Sequence, residues 1–160
     1  MNQKVTKNGF TIIEVVLVLA IAGLIFLMVF IALPALQRSQ RDTQRKDDVG
    51  KFLSQINSYQ SNNRGSVPPS DTISAANTFV NSYLKADGDQ FADPSGDDYT
   101  VEARTGTDPL PSTIDKDDLG TIFYNTNVVC GDGGDLTDST SRKIAVRTYL
   151  EGGGIFCSNN

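Results

Sequence analysis

The chain has 160 residues, a net charge of −5, two cysteines, and neither histidine nor tryptophan. Without an imidazole, Ser-His-Asp chemistry and histidine-based zinc sites are excluded and an enzyme is disfavoured. Residues 37–63 hold five basic and three acidic side chains whereas 64–160 hold seven and fifteen, so the acidic body suits solubility and is a poor general nucleic-acid binder.

The first element in chain order is apolar. Val15–Leu33 is an unbroken run of nineteen apolar or glycine residues, which as a helix is roughly 28 Å long and matches the hydrocarbon thickness of a bilayer. A secretory signal would be shorter and end in a small-x-small site. Here the run continues through Pro34 to Leu36 and into a polar stretch, so it reads as a spanning helix that stays with the protein. Glu14 stands at its start, and a carboxylate in a membrane helix is costly unless it reaches the interface or finds a partner. Both uses are open at this point. Pro34 removes the helix bond to the Phe30 carbonyl and is expected to bend or locally open the helix.

Lys4-Val5-Thr6-Lys7-Asn8-Gly9 followed by Phe10-Thr11-Ile12-Ile13-Glu14 resembles the leader and mature start of the type IV pilin family. That pattern is a short basic leader, Gly before a cleavage point, Phe after it and Glu four residues on. The likeness covers residues 1–35. It implies cleavage between Gly9 and Phe10 by a prepilin peptidase, N-methylation of Phe10, and assembly of identical subunits into a filament by the family's pilus machinery. In that assembly Glu14 would neutralise the Phe10 amine of a neighbour, and the segment near Pro34 would be able to melt. Opposite charges moved into a low-dielectric bundle are tolerable only when paired, which makes such a pair a registry device. Phe10 and Glu14 are also i and i+4 on one helix face, so an intramolecular pair is the alternative. Positive-inside counting sets two leader lysines against four basic residues from Arg38 to Lys46 and favours the opposite orientation. A cytoplasmic peptidase and the cysteines favour a head outside the membrane.

Beyond Pro34 the pattern stays helical. Val49, Phe52, Leu53, Ile56 and Tyr59 form one apolar stripe, the face on which a head should pack. The helix is expected to stop near Asn63, with Gly65 behind it and Pro68-Pro69 preventing resumption. Tyr59, Gly65 and Pro68 loosely resemble the end of the first helix in pilins and secretion pseudopilins. The basic stretch Arg38–Lys46 is expected to pair with Asp42, Asp47, Asp48 or a neighbour's carboxylates, with contact to DNA or lipid headgroups as the alternative. The chain thus divides into a leader over 1–9, a transmembrane and assembly helix over 10–36, an amphipathic continuation over 37–65 and a globular head over 66–160.

Within the head, Ser74–Lys85 predicts a short helix that places Ala76, Phe79, Val80, Tyr83 and Leu84 on one side, with Gly88 beyond its end. Tyr99–Arg104 is a modest strand. Thr121–Val129 alternates Ile122, Tyr124, Thr126 and Val128 against a more polar face, and Lys143–Leu150 alternates Ile144, Val146, Thr148 and Leu150. Gly131–Ser141 reads as a long loop. The fold class is α+β, a long helix packed by a small antiparallel sheet, as in pilins.

Cys130 and Cys157 suit a single disulfide closing a 28-residue loop, with two buried free thiols as the alternative. Many type IV pilins have a C-terminal disulfide-bounded loop, which this pair resembles. The acidic stretches Asp93–Asp98, Asp132–Asp138 and Asp115 to Asp118 read as solvated turns, with calcium in a head loop as the alternative to no cofactor. Arg142, Lys143 and Arg147 are too few for a binding patch.

The expectation is a non-enzymatic filament subunit, held in the cytoplasmic (inner) membrane as a precursor and displayed on the cell surface after assembly. Adhesion, surface motility or DNA uptake would be outputs of such a filament. The alternatives are a secretion or competence pseudopilin, and a minor tip pilin that binds a receptor or DNA.

Overall fold

The computed structural model describes residues 9–68, 73–86, 90–110 and 118–160. The leader ahead of Gly9, Pro69, Gly88, and the turn residues Asp115 and Asp117 lie outside the described residues. The chain forms two compact units, one ending at Gln37 and the other spanning Arg38–Asn160. Helix α1 (Ile12–Asn62) supplies residues to both.

In the first unit the helix is apolar on every side, and its side chains are exposed, among them Leu19 at 65% and Phe30 at 75%. Residues of this kind are helical because nothing in the run competes with backbone hydrogen bonding. Helical structure continues through Pro34, so the local opening expected there does not occur in the single chain. One missing N–H is tolerated when Leu33, Ala35 and Leu36 on either side are good helix formers.

The second unit is an α+β domain. Val49, Phe52, Leu53 and Ile56 of α1 are buried in its main core, as their spacing requires. The helix ends in a Schellman-type closure: Gly65 N–H donates to the Gln60 carbonyl (2.7 Å), with Arg64 at φ 57° carrying the left-handed position. Helix α2 (Ile73–Tyr83) comes next and buries Phe79 and Val80. Phe79 meets Phe52 edge-on at 5.6 Å and Tyr59 at 5.7 Å between ring centroids.

Strands β1 (Thr100–Thr105), β2 (Thr121–Thr126), β5 (Ile144–Tyr149) and β6 (Ile155–Asn159) make one sheet in the order β1-β2-β5-β6. It is mixed rather than antiparallel throughout. β1 and β2 run parallel, with Thr100 opposite Thr121, while β2–β5 and β5–β6 are antiparallel. Parallel neighbours of this kind are not hairpin partners.

Three further expectations are corrected. The strand expected across Thr121–Val129 breaks at Asn127, which adopts φ 67°, a conformation that asparagine tolerates better than most residues. Beyond the break lies a separate strand β3 (Val128–Cys130), paired with β4 (Leu136–Asp138). The Gly131–Ser141 loop thus contains a strand and a 3₁₀ turn, Asp132–Gly134. Gly134 is obligatory in that turn, because a Cβ there would lie 2.8 Å from the Cβ of Ile155. Finally, β2 and β5 have no polar outer face in contact with water: all six residues of each are buried. Ile122, Tyr124, Ile144 and Val146 face the α1 core, while Phe123 and Tyr149 pack with Leu110 on the other side.

Phe52 is fully buried and contacts the rings of Phe79, Phe91 and Tyr124. Phe52→Ala is expected to cost about 3–5 kcal/mol, read as a lower midpoint in urea unfolding, because the surrounding aromatic cluster cannot collapse into the space.

Candidate assembly site

Gly9 and Phe10 precede the first turn of α1, and the Phe10 ring is 89% exposed. Thr11 is the cap. Its Oγ1 accepts from the Glu14 N–H (3.4 Å), while Glu14 Oε2 accepts from the Thr11 N–H (2.8 Å) and hydroxyl (2.8 Å). This is a capping box, two helix-end donors satisfied reciprocally. Its signature, Thr-x-x-Glu, is present in the sequence but is masked by the prominence of a charge in an apolar run. Thr11, rather than Phe10, is the hydrogen-bonding partner of Glu14. The start of the helix can therefore hold its carboxylate without a second molecule, through two neutral donors. Beyond it, the helix is long and apolar enough to cross a membrane.

The basic stretch of α1 belongs to the second unit and has a different task. Arg45 is 2% exposed. Its Nε donates to Asp93 Oδ2 (2.7 Å), its Nη2 to Asp93 Oδ1 (3.0 Å) and its Nη1 to Asp42 Oδ1 (3.1 Å). Asp42 in turn accepts from the backbone N–H of Glu151 (2.7 Å) and Gly152 (2.8 Å). Gly152 permits this approach, since a Cβ there would sit 3.0 Å from Asp42 Oδ2. Arg41 makes a two-pronged pair with Glu151 (2.7 and 2.6 Å). One turn on, Asp48 accepts from the Tyr99 hydroxyl (3.0 Å) and Lys51 (2.9 Å).

The expected pairing within the stretch is thus met only for Arg45 with Asp42. The dominant partners, Asp93 and Glu151, come from far along the chain, and Asp47 is exposed and takes no part. The solvated turn expected at Asp93 is corrected too, because that side chain is buried, at 3% exposed. The only advance signal is the need of a buried arginine for carboxylates, and a chain with sixteen aspartates offers too many candidates to choose from.

The electrostatics arise from this geometry. Arg45 is held above the ordinary guanidinium value, first by its hydrogen bond to Asp93, with burial opposing. Burial works to raise Asp93, but the bonds from Arg45 and Ser95 outweigh it and hold the carboxyl below its usual range. Glu151 is lowered chiefly by Arg41, and the Tyr99 hydroxyl is raised by burial and then by Asp48. Both Asp93 oxygens are engaged by Arg45 and Ser95. Among the described residues no group of three or more His, Cys, Asp or Glu is placed to hold a metal ion, so the calcium alternative gains no site there.

Cys130 of β3 and Cys157 of β6 form a disulfide, with Cα atoms 5.9 Å apart. They pack beside Val128, Leu136 and Ala145, joining the small β3–β4 sheet to the edge of the main one. Lys143 Nζ donates to the Asn160 carbonyl (2.6 Å), and Arg147 is buried in the sheet, so these cations form no surface patch with Arg142.

Two outcomes are expected. Asp93→Asn leaves Arg45 buried with only Asp42 and the more distant Glu151 as countercharges and should lose about 3–5 kcal/mol in urea unfolding at neutral pH. The depressed Asp93 carboxyl contributes stability that is full above its unfolded value near 3.8 and is lost as pH falls through the lower folded value. The parent's stability should therefore fall more steeply than the variant's in acid below about pH 4. Reduction of Cys130–Cys157, which spans a sequence separation of 27, should lower stability by roughly 3–4 kcal/mol, read as a shifted unfolding midpoint with and without reductant. In comparisons with known proteins, no family model, curated protein or solved structure matches this chain.

Proposed function

We propose that this chain is a type IV pilin-like subunit, made as a membrane-anchored precursor, cut after Gly9, methylated on Phe10 and polymerised with copies of itself into an extracellular filament. One observation carries the reading: a helix exposed and apolar on every side begins with a single carboxylate, immediately after Gly9-Phe10-Thr11. Water cannot be the working surroundings of such a surface, because hydrophobic patches of that extent mark membrane or protein contact. A bilayer accepts it before assembly, and a bundle of identical helices accepts it afterwards.

Glu14 makes the two environments unequal. In the membrane its carboxylate is satisfied locally by Thr11. In a dry bundle a charge needs an opposite charge, and a freed Phe10 amine on the next subunit would supply it. The same pair would set the axial register between neighbours, and subunits lacking it would pack without a fixed stagger. The second unit then serves as the coat, with its net negative charge turned to solvent. The disulfide between β3 and β6 suits an extracellular or periplasmic location, and among the related readings it favours a surface pilin over a secretion pseudopilin.

Intact mass and N-terminal sequencing of protein recovered from the cell surface test this directly. A start at Phe10 with one added methyl, and two hydrogens missing from the thiols, is the expected result. A chain still beginning at Met1 would mean an ordinary anchored protein and would end the roles given to Phe10 and Glu14. Glu14→Gln should still insert and be cut, yet yield at least tenfold fewer sheared filaments on immunoblot, an effect on the order of 1.4 kcal/mol or more per contact.

A further inference from the structure

A second buried arginine in the head is treated very differently from Arg45. Arg147 of β5 is 1% exposed, but among the described residues no carboxylate lies within ion-pair distance. Its Nη2 donates to the Asp108 carbonyl (2.9 Å) and to Asn125 Oδ1 (3.1 Å), and its Nε is buried without a partner. Arg104 of β1 shares the unpartnered Nε but has a carboxylate in reach. Its guanidinium lies 5.0 Å from the Phe123 ring centroid, and its Nη2 reaches Glu102 Oε2 at 3.4 Å. Its Nε is also buried and unpartnered. Among the described residues, these two Nε atoms are the only buried side-chain polar atoms that lack a partner.

The register places both on one face of the sheet. Glu102, Phe123 and Arg147 stand side by side across three strands, and Arg104 and Asn125 stand two residues further on. Two guanidinia thus flank Phe123, each with an N–H to spare. Buried polar groups are ordinarily satisfied, and a buried cation ordinarily has a countercharge. Burial first, and then the charge of Arg104, hold Arg147 below the ordinary guanidinium value, the reverse of Arg45. Asn125 is fixed as well, its amide donating to the Gly106 carbonyl (2.9 Å), so it cannot turn to supply an acceptor to Nε.

We propose that Arg104 and Arg147 form a binding site for a small oxyanion of the phosphate, sulfate or carboxylate kind. The guanidinium fork matches two oxygens of such an ion, and the weak hydration of arginine suits a half-dry site. Arg104, with 30% of its side chain exposed, faces solvent and receives the ion. Arg147 supplies charge from beneath. Glu102, 39% exposed and only loosely bonded to Arg104, yields its place and turns to water. The bound ion would lock β1 to β5 and hold the Gly106–Asp108 turn against the sheet.

The test uses the full chain in detergent micelles, with sodium phosphate and sodium sulfate compared against chloride at matched ionic strength. Thermal unfolding should show a saturable rise of about 5 °C at ten times Kd in the oxyanions and none in chloride. The Nε–H resonances of Arg104 and Arg147 should shift over the same concentration range. Arg104→Gln should keep its Tm in chloride and lose the oxyanion response, and Arg147→Lys should weaken that response at least tenfold. Identical melting in all three salts with unmoved Nε–H signals, or a full response in Arg104→Gln, would overturn the site. So would an Asp115→Asn/Asp117→Asn chain that alone responds to phosphate, because the countercharge would then be the chain's own.

Discussion

A guanidinium sealed from water must have its charge and its N–H groups answered by acceptors, and the placement of Arg45 imposes that demand on three parts of the head at once. Asp93 meets its fork from the loop before β1, and Asp42 meets it from the previous turn of α1. Asp42 then reaches past it to the backbone of the β5–β6 turn. Removing a single member would strand a charge in a dry place, at a cost larger than the interaction itself returns. The cluster is therefore a fastening whose value lies in specificity. It admits one rotation of α1 about its axis and one position along it.

That rotation decides the hydrophobic packing. With Arg45 anchored, Val49, Phe52 and Ile56 descend on the same side of the helix, and all three are completely buried against the sheet and α2. The second face of the sheet is packed too, Phe123 and Tyr149 against Leu110 and Ala145 beside the disulfide region. A domain of this size has little interior to spare, since small folds bury a modest fraction of their surface. Covering both faces of β2 and β5, and tying the smaller sheet on through Cys130–Cys157, is how it obtains enough. Arg147 is the exception in that second layer, a cation held by neutral acceptors where Arg45 is held by charges.

The first unit obeys a different constraint. Its helix has no charge beyond Glu14 and no polar face, so its stability comes from the surroundings and not from the chain. Capping of its first turn by Thr11 and Glu14 keeps the one ionisable group satisfied locally. The proposal of a filament subunit rests on this combination: a surface suited to hydrocarbon, a single charge at one end, and a head that folds with its own core.

The sequence alone determined the elements whose signals are local. The apolar run, the stripe at Val49–Ile56, the helix stop at Asn62 and the cores of β2 and β5 come from spacing over a few residues, because period and hydrophobicity are properties of contiguous chain. The likeness of the first residues to a processed leader is equally local. The tertiary structure decided everything that depends on residues brought together from afar. It chose Asp93, from far along the chain, as the two-pronged partner of Arg45, set β1 parallel to β2, and made β6 from Ile155–Asn159, a segment with no alternation to announce it. It also buried Asn125 and Arg147 on a face whose polar residues point to solvent by pattern alone. Ion pairs and strand order are choices among many chemically equivalent partners, and only the closing of the whole domain selects one.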